Sequence, residues 1–363
     1  MSLKVLFDHQ KFSTQKYGGI SRYFANIIQS IKTSSNFEYK LGVLASNCHY
    51  IKNESQPLNI LGSRITDPSV AYKINKLYCN QLLSKNDFDI FHPTYYDPYF
   101  IEKVKKPVVV TIHDMTYERL PEYFWAHDSL TYQKRLNIER ADKIIAISDT
   151  TKKDLIKYSN VDPSKIALVY HGIETDTALI TAPVTGLPEN YILFVGDRGG
   201  YKNFYLFVDA FKVLSEKYPA LRVVITGGGK MGIAEIELLK RLKLQDKVQH
   251  VNVTDEQLNY LYKNALFFVY PSLCEGFGLP ILEAFKAECP ILLSDTDCFK
   301  EIGADAAFFF RKYELEDLII QMESLIKDVD LRQELIKKGL ERLKDFPIEK
   351  SIEETLSVYQ SLS

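Results

Sequence analysis

The chain has 363 residues, of which 46% are hydrophobic and 25% charged, with a net charge of −2; this is the composition of a folded globular protein and excludes disordered and fibrous classes. At roughly 100–200 residues per domain, two domains are expected. The apolar runs ALFFVY (265–270) and AAFFF (306–310) are far shorter than the roughly 18 residues of a membrane span.

In chain order, the start MSLKVLFDH reads as a first strand and not as a signal segment, because Lys4 and Asp8 interrupt its apolar run. Short β-rich runs then alternate with amphipathic segments: KVLFD, GGISRYFANIIQSIK, YKLGVLA, DFDIFH, PVVVTIHD, KIIAIS and KIALVY. That rhythm predicts a parallel sheet with crossover helices. It restarts with YILFVG, a helix from about Phe204 to Tyr218, LRVVITG, KVQHVN, ALFFVYPS and PILLSD. The stretch 177–190 between the two series is rich in Thr, Pro and Gly and has no sustained period, which is linker composition. The reading is therefore α/β, with an N-terminal Rossmann-like domain over 1–183 and a C-terminal one over 184–346. The helical stretch after Glu314 breaks at Phe346-Pro347, and a last helix, 347–363, is expected to pack back on the first domain. Five cysteines without a CxxC pair give no zinc cluster and no disulfide framework, which fits a reducing cytoplasm. Through residue 185 there are 23 Lys and Arg against 19 Asp and Glu, and beyond it 22 against 28. The basic first half suits an anionic membrane surface.

The segment PSLCEGFGLPILEA (271–284) carries the most chemistry. It follows an apolar strand and places Gly276 and Gly278 before a helix with Pro280 in its first turn. Glycines allow close backbone approach, and free amides at a helix start attract phosphate. Glu275 and Glu283 can face the same pocket, where carboxylates accept hydrogen bonds from sugar or ribose hydroxyls. This string resembles the signature of the retaining glycosyltransferases of family four, which have the GT-B fold: two Rossmann-like doubly wound domains facing a central cleft.

The resemblance implies that Glu275 contacts the donor sugar, that Glu283 binds the ribose, and that the Gly276, Phe277, Gly278 and Leu279 stretch reaches sugar and phosphate. YILFVGDRGGYKN (191–203) is similar to the family's basic loop and nominates Arg198 and Lys202 for the donor diphosphate; fixed cations stabilise a departing diphosphate. Arg198 lies two residues after Gly196, whereas many family members place their arginine elsewhere in the loop. YGGISRY (17–23) puts Gly18 and Gly19 before a helix, near donor phosphate and acceptor in the family. TIHDMTYERLP (111–121) places His113 where the family contacts the donor sugar, while Asp114 is read as a helix cap. SDTTKKDL (148–155) also resembles the family, and a capping serine explains it.

DFD (87–89) and DTD (295–297) resemble metal-chelating pairs, but the first precedes its strand, and the charges of the glutamate and basic loops suffice at the second; no metal is expected. ITGGG (225–229) lacks the spacing of a dinucleotide fingerprint, so NAD is not expected. The resemblance implies a hexosyltransferase without cofactor. It takes a GDP- or UDP-linked sugar, with mannose from GDP-mannose as first choice. The acceptor is a glycan or a lipid-linked glycan in polysaccharide assembly. Retention is explained by front-face attack, without an enzymic nucleophile. The alternatives are a GT-B epimerase or phosphorylase, or a binding protein without turnover. No nucleic-acid partner is expected. The location is cytoplasmic, with lysines such as Lys73, Lys76, Lys103, Lys105 and Lys106 available for peripheral contact with the inner membrane face.

Overall fold

The computed structural model describes residues 2–54 and 67–363. The chain divides into two compact units, one made of Met1–His171 with Glu349–Ser363, the other of Gly172–Ile348. The division thus falls ahead of the stretch 177–190, which belongs to the second unit. That stretch is tied down there: the Ala182 N–H donates to the Glu256 carbonyl and Asn259 donates to the Ile180 carbonyl. No helix among the described residues is long and apolar enough to cross a membrane. All five cysteines are buried and none forms a disulfide.

In the first unit, β1 (Leu3–Phe7) pairs in parallel with β2 (Phe37–Leu41) and β3 (Ile90–His92). A second run joins β4 (Val109–Ile112), β5 (Lys143–Ala146) and β6 (Ile166–Leu168). A parallel bridge between Phe91 and Val108 links the two runs, so the strand order is β2-β1-β3-β4-β5-β6. Side chains alternate along a strand, and here both faces are apolar: Val5, Phe7, Ile90 and Val109 enter one core cluster, Leu6, Phe91, Val108 and Val110 the other. Such a sheet needs helices on both sides. The terminal helix Ile348–Gln360 covers one of them, where the buried Tyr359 hydroxyl lies 2.7 Å from His92 Nδ1.

The second unit is one six-stranded parallel sheet, ordered β12-β11-β10-β7-β8-β9, from β7 (Tyr191–Val195), β8 (Arg222–Thr226), β9 (Val248–Val251), β10 (Phe267–Tyr270), β11 (Ile291–Ser294) and β12 (Phe308–Phe310). The helix Phe204–Lys217 shows how it is covered. Phe204, Phe207, Val208, Phe211 and Leu214 recur at three- and four-residue spacing, and all are buried against Ile192, Phe194 and Val223. Truncating Phe211 to Ala would cost about 3–5 kcal/mol. The chain builds outward from β7 to β8 and β9, then returns to place β10 on the other flank. That reversal is the switch point at which doubly wound sheets bind ligands, beyond the carboxyl ends of their strands. The glutamate loop and the basic loop lie on the two sides of it.

The stretch after Glu314 holds two helices, Leu315–Lys327 and Val329–Leu343, because Asp328 caps the second through the Leu331 N–H. The break at Pro347 follows. Gly172 lies against it so closely that a Cβ there would come 2.5 Å from the Pro347 carbonyl oxygen. Ile173 and Ile348 complete this crossing by backbone hydrogen bonds to Phe346 and Ile173.

Candidate active site

After β7 the chain makes a short 3-10 turn, Gly200–Lys202, and Asn203 in the left-handed conformation starts the next helix. This geometry aims Lys202 sideways toward the loop after β10. Its Nζ donates to Glu275 Oε1 at 2.6 Å, with both side chains about 15% exposed (15% and 14%). Burial opposes the ammonium charge, but Glu275 outweighs it and holds the Lys202 pKa well above its ordinary value. Burial and Glu275 likewise raise Tyr270, the last residue of β10. Two residues 73 apart in sequence are thus joined as a part-buried ion pair at the switch point.

The glutamate loop ends at Gly278, whose φ of +95° caps the helix Leu279–Lys286. Any side chain there would press on Ile281 and Phe299, so the turn requires glycine. No side chain caps this helix start, and Pro280 in the first turn donates no N–H. Gly276 and Phe277 are buried; Glu283, one turn into the helix, is half-buried. The loop therefore presents backbone and one carboxylate, Glu275, beside the Lys202 cation.

Arg198, nominated from the sequence for the donor diphosphate, is held by other groups of the second unit. It is 5% exposed, and its guanidinium is committed within the protein. Nε donates to Glu235 Oε1 at 2.7 Å and Nη1 to the Gly227 carbonyl at 2.6 Å. Nη2 donates to the carbonyls of Gly228, Gly229 and Lys230 at 3.1–3.2 Å. A fork of five donors can serve a whole loop in this way; the cation turns from the Lys202 side toward the loop after β8.

In the first unit, Gly18 is the N-cap of the helix Gly19–Thr33 and has no side-chain cap. The Gln15 carboxamide oxygen sits over this start at 3.4 Å from the Ser21 amide, a neutral cover for anion-seeking amides. His113 follows β4, its backbone N–H donating to Tyr96 Oη at 3.0 Å. Its ring lies 6.0 Å from those of His171 and Tyr23. Burial, then the neighbouring His171 and Lys11, keep His113 neutral, far below its ordinary pKa. His92 and His171 are both lowered to about 3, by burial first. Asp114 accepts from the Thr116 N–H at 2.9 Å, which is a local turn contact. Ser148 caps its helix by accepting from Thr151.

The two DxD strings are used structurally. Asp87 binds Lys4 and Lys40, and Asp89 accepts from the Lys4 N–H. Asp295 accepts from the Lys312 N–H, and Thr296 caps the helix that contains Asp297. Sequence reasoning missed Glu235, His171 and Lys11. Glu235 stands three residues after Gly232 and accepts its N–H at 2.6 Å, a capping-box spacing that was legible. Lys11 Nζ lies 3.4 Å from the Tyr95 ring centroid, and burial lowers it to about 8; nothing in the sequence marks that pairing.

Two tandem doubly wound units with loops of this kind define the GT-B architecture, and solved structures agree. Sucrose-phosphate synthase of Thermosynechococcus elongatus superposes with a TM-score of 0.74 at 17% identity over 100% of this chain and 99% of its own. Anabaena HepE in complex with UDP and glucose gives 0.73 at 15%, over 99% and 100%. Residues 181–342 match the family described as Glycosyl transferases group 1, and residues 55–177 match Glycosyltransferase Family 4. The chain belongs to the GT-B glycosyltransferases of the family 4 type. The O-antigen chain mannosyltransferase RfbU of Salmonella typhimurium is 28% identical over 201 residues, 55% of either chain. The O-antigen chain mannosyltransferase B of Escherichia coli is 26% identical over 289 residues, 75% of this chain and 74% of that one.

Proposed function

We propose that the protein transfers a hexose, mannose from GDP-mannose in the first instance, to a hydroxyl of a glycan or lipid-linked acceptor in surface-polysaccharide assembly. The observation that carries this reading is the part-buried Lys202–Glu275 pair beside the helix start at Gly278, on the switch point of the second unit. Lys202 neutralises the departing diphosphate, and its strength comes from being fixed before the reaction begins. Glu275 accepts hydrogen bonds from the hydroxyls of the transferred sugar, and Glu283 from the ribose. The loop from Gly276 to Leu279 lends amides to sugar and phosphate. The first unit supplies neutral groups: His113 as a hydrogen-bonding partner for sugar hydroxyls, and the amides at Gly18 and Gly19. The acceptor attacks the face that the diphosphate leaves, a diphosphate oxygen takes the acceptor proton, and configuration is retained. No metal ion takes part.

The names of RfbU and its Escherichia coli counterpart support mannose. HepE was captured with UDP, so a UDP-linked hexose is the competing donor. A thermal-shift panel of nucleotide sugars decides, since a ligand at 100 times its dissociation constant stabilises by about 2.7 kcal/mol. Stabilisation by GDP-mannose above other donors, followed by transfer of labelled mannose to an acceptor, supports the reading. No shift with any GDP- or UDP-sugar overturns it. Of the lysines named for membrane contact, Lys76 is paired with Asp97 and Lys103 donates to the neutral Asn80 carboxamide, so that Lys73, Lys103, Lys105 and Lys106 have no ion-pair partner among the described residues. Co-sedimentation with anionic vesicles at low salt, lost at high salt, is the expected result; none at low salt removes the peripheral reading.

A further inference from the structure

The ITGGG string explains where Arg198 went. Gly227, Gly228 and Gly229 leave β8 with φ of +84°, +65° and +70°, three left-handed residues in succession. Only glycine serves here. A Cβ on Gly228 would lie 2.8 Å from Arg198 Nη1, and one on Gly227 would lie 3.0 Å from the Gly196 backbone. A left-handed run turns successive carbonyls to one side and the amide N–H groups to the other. The carbonyls of residues 227–230 all face Arg198. Among the described residues, the N–H groups of Gly228, Gly229 and Lys230 donate to no protein acceptor. These residues are exposed, and nothing lies within 4 Å of the Cβ direction at Gly229.

Exposed carbonyls are satisfied by water and need no buried guanidinium. Holding all of them with one arginine, itself anchored by Glu235, fixes the loop in a single form and leaves its amide face open. β8 is the neighbour of β7, so this face lies on the same carboxyl edge as Lys202. The Lys230 ammonium has no ion-pair partner among the described residues.

We propose that the loop Gly227–Lys230 binds phosphate oxygens of the nucleoside diphosphate, with Arg198 as its positioning residue and Lys230 as its free charge. The proposal rests on the donor-binding reading above. It separates cleanly from direct contact by Arg198, because Glu235 answers oppositely in the two cases. If Arg198 itself touched the anion, removing the Glu235 charge would release the guanidinium and tighten diphosphate binding. If Arg198 acts through the loop, the same change loosens the loop and weakens binding.

The test is calorimetric titration of GDP and UDP, with guanosine and uridine as controls, on the wild type and on Glu235→Gln, Arg198→Met, Arg198→Lys and Lys230→Met. Glu235→Gln and Arg198→Met are expected to weaken the diphosphate about tenfold and leave the nucleoside unchanged. Arg198→Lys should not rescue, since one ammonium cannot serve four carbonyls. Lys230→Met, at an exposed position, should weaken the diphosphate several-fold at an unchanged melting temperature. Tighter diphosphate binding by Glu235→Gln overturns the proposal, as does an unchanged affinity in Lys230→Met. A wild type that binds neither diphosphate overturns the donor reading as well.

Discussion

The groups proposed to meet the donor are in different states in the two units, although the first unit has ion pairs of its own, such as Lys134 with Glu118. In the second, charges are fixed in pairs: Lys202 with Glu275, and Arg198 with Glu235. In the first, His92, His113 and His171 are buried together and neutral, packed among Tyr23, Thr111 and Tyr359. Paired charges suit a ligand that itself carries and gains charge, whereas neutral donors and rings suit sugar hydroxyls. On the proposed function, the contrast assigns the electrostatic part of the reaction to the second unit and the shape-selective part to the first.

The largest effect should follow from breaking a pair. Lys202→Met leaves the part-buried Glu275 without its cation and removes the charge proposed to face the departing diphosphate. We expect kcat/KM to fall roughly 10²–10³-fold, the scale of removing one preorganised group that stabilises charge in the transition state. A loss below tenfold in steady-state rates would remove the pair from the centre of the account.

Acid should find the first unit. A histidine kept neutral when folded takes a proton near pH 6.5 once unfolded, so the unfolded state binds more protons between about 6.5 and 3. Stability from His92 and His171 is complete above that window and is lost as pH falls through it, at roughly 1.4 kcal/mol per pH unit for each. Six of the seven histidines belong to the first unit; the second has His250 alone. Amide exchange at pH 5 against pH 7.5 should therefore show β3 and β4 losing protection before β7 and β8. The reverse order would contradict the neutral-cluster description.

These features were unequally legible in sequence. Glu275 and Glu283 stood out because strand, glycines, proline and carboxylates fall in one window. So did the parallel strands, whose apolar runs are buried on both faces. The partners of Arg198 were not legible, because they lie in a loop about 30 residues away, and four carbonyls leave no mark in sequence. The histidine cluster joins the ends of three strands with the terminal helix, and no local pattern announces it. β12 was read only as an apolar run, since Phe308–Phe310 is too short to show a period.

Smaller effects sharpen the contrast. His113→Asn replaces one neutral hydrogen bond by another of different reach, so about 0.5–1.5 kcal/mol, or up to tenfold in kcat/KM, is expected. A loss greater than that of Lys202→Met would invert the division of labour. Chelation should have the least effect of all: transfer should continue in EDTA at its full rate. Activity abolished by chelator and restored by Mg²⁺ or Mn²⁺ would assign the diphosphate charge to a metal.

The central claim is that the second unit reads the donor with two carboxylates of different duty, and calorimetric titration of GDP and UDP on two variants tests it most directly. Glu283→Gln weakens ribose hydrogen bonds and should impair binding of the free nucleoside diphosphate by about 1.5–3 kcal/mol. Glu275→Gln should leave that binding intact and lower turnover, because its partner is the sugar. Loss of nucleoside-diphosphate binding in Glu275→Gln, with normal binding in Glu283→Gln, would contradict the account.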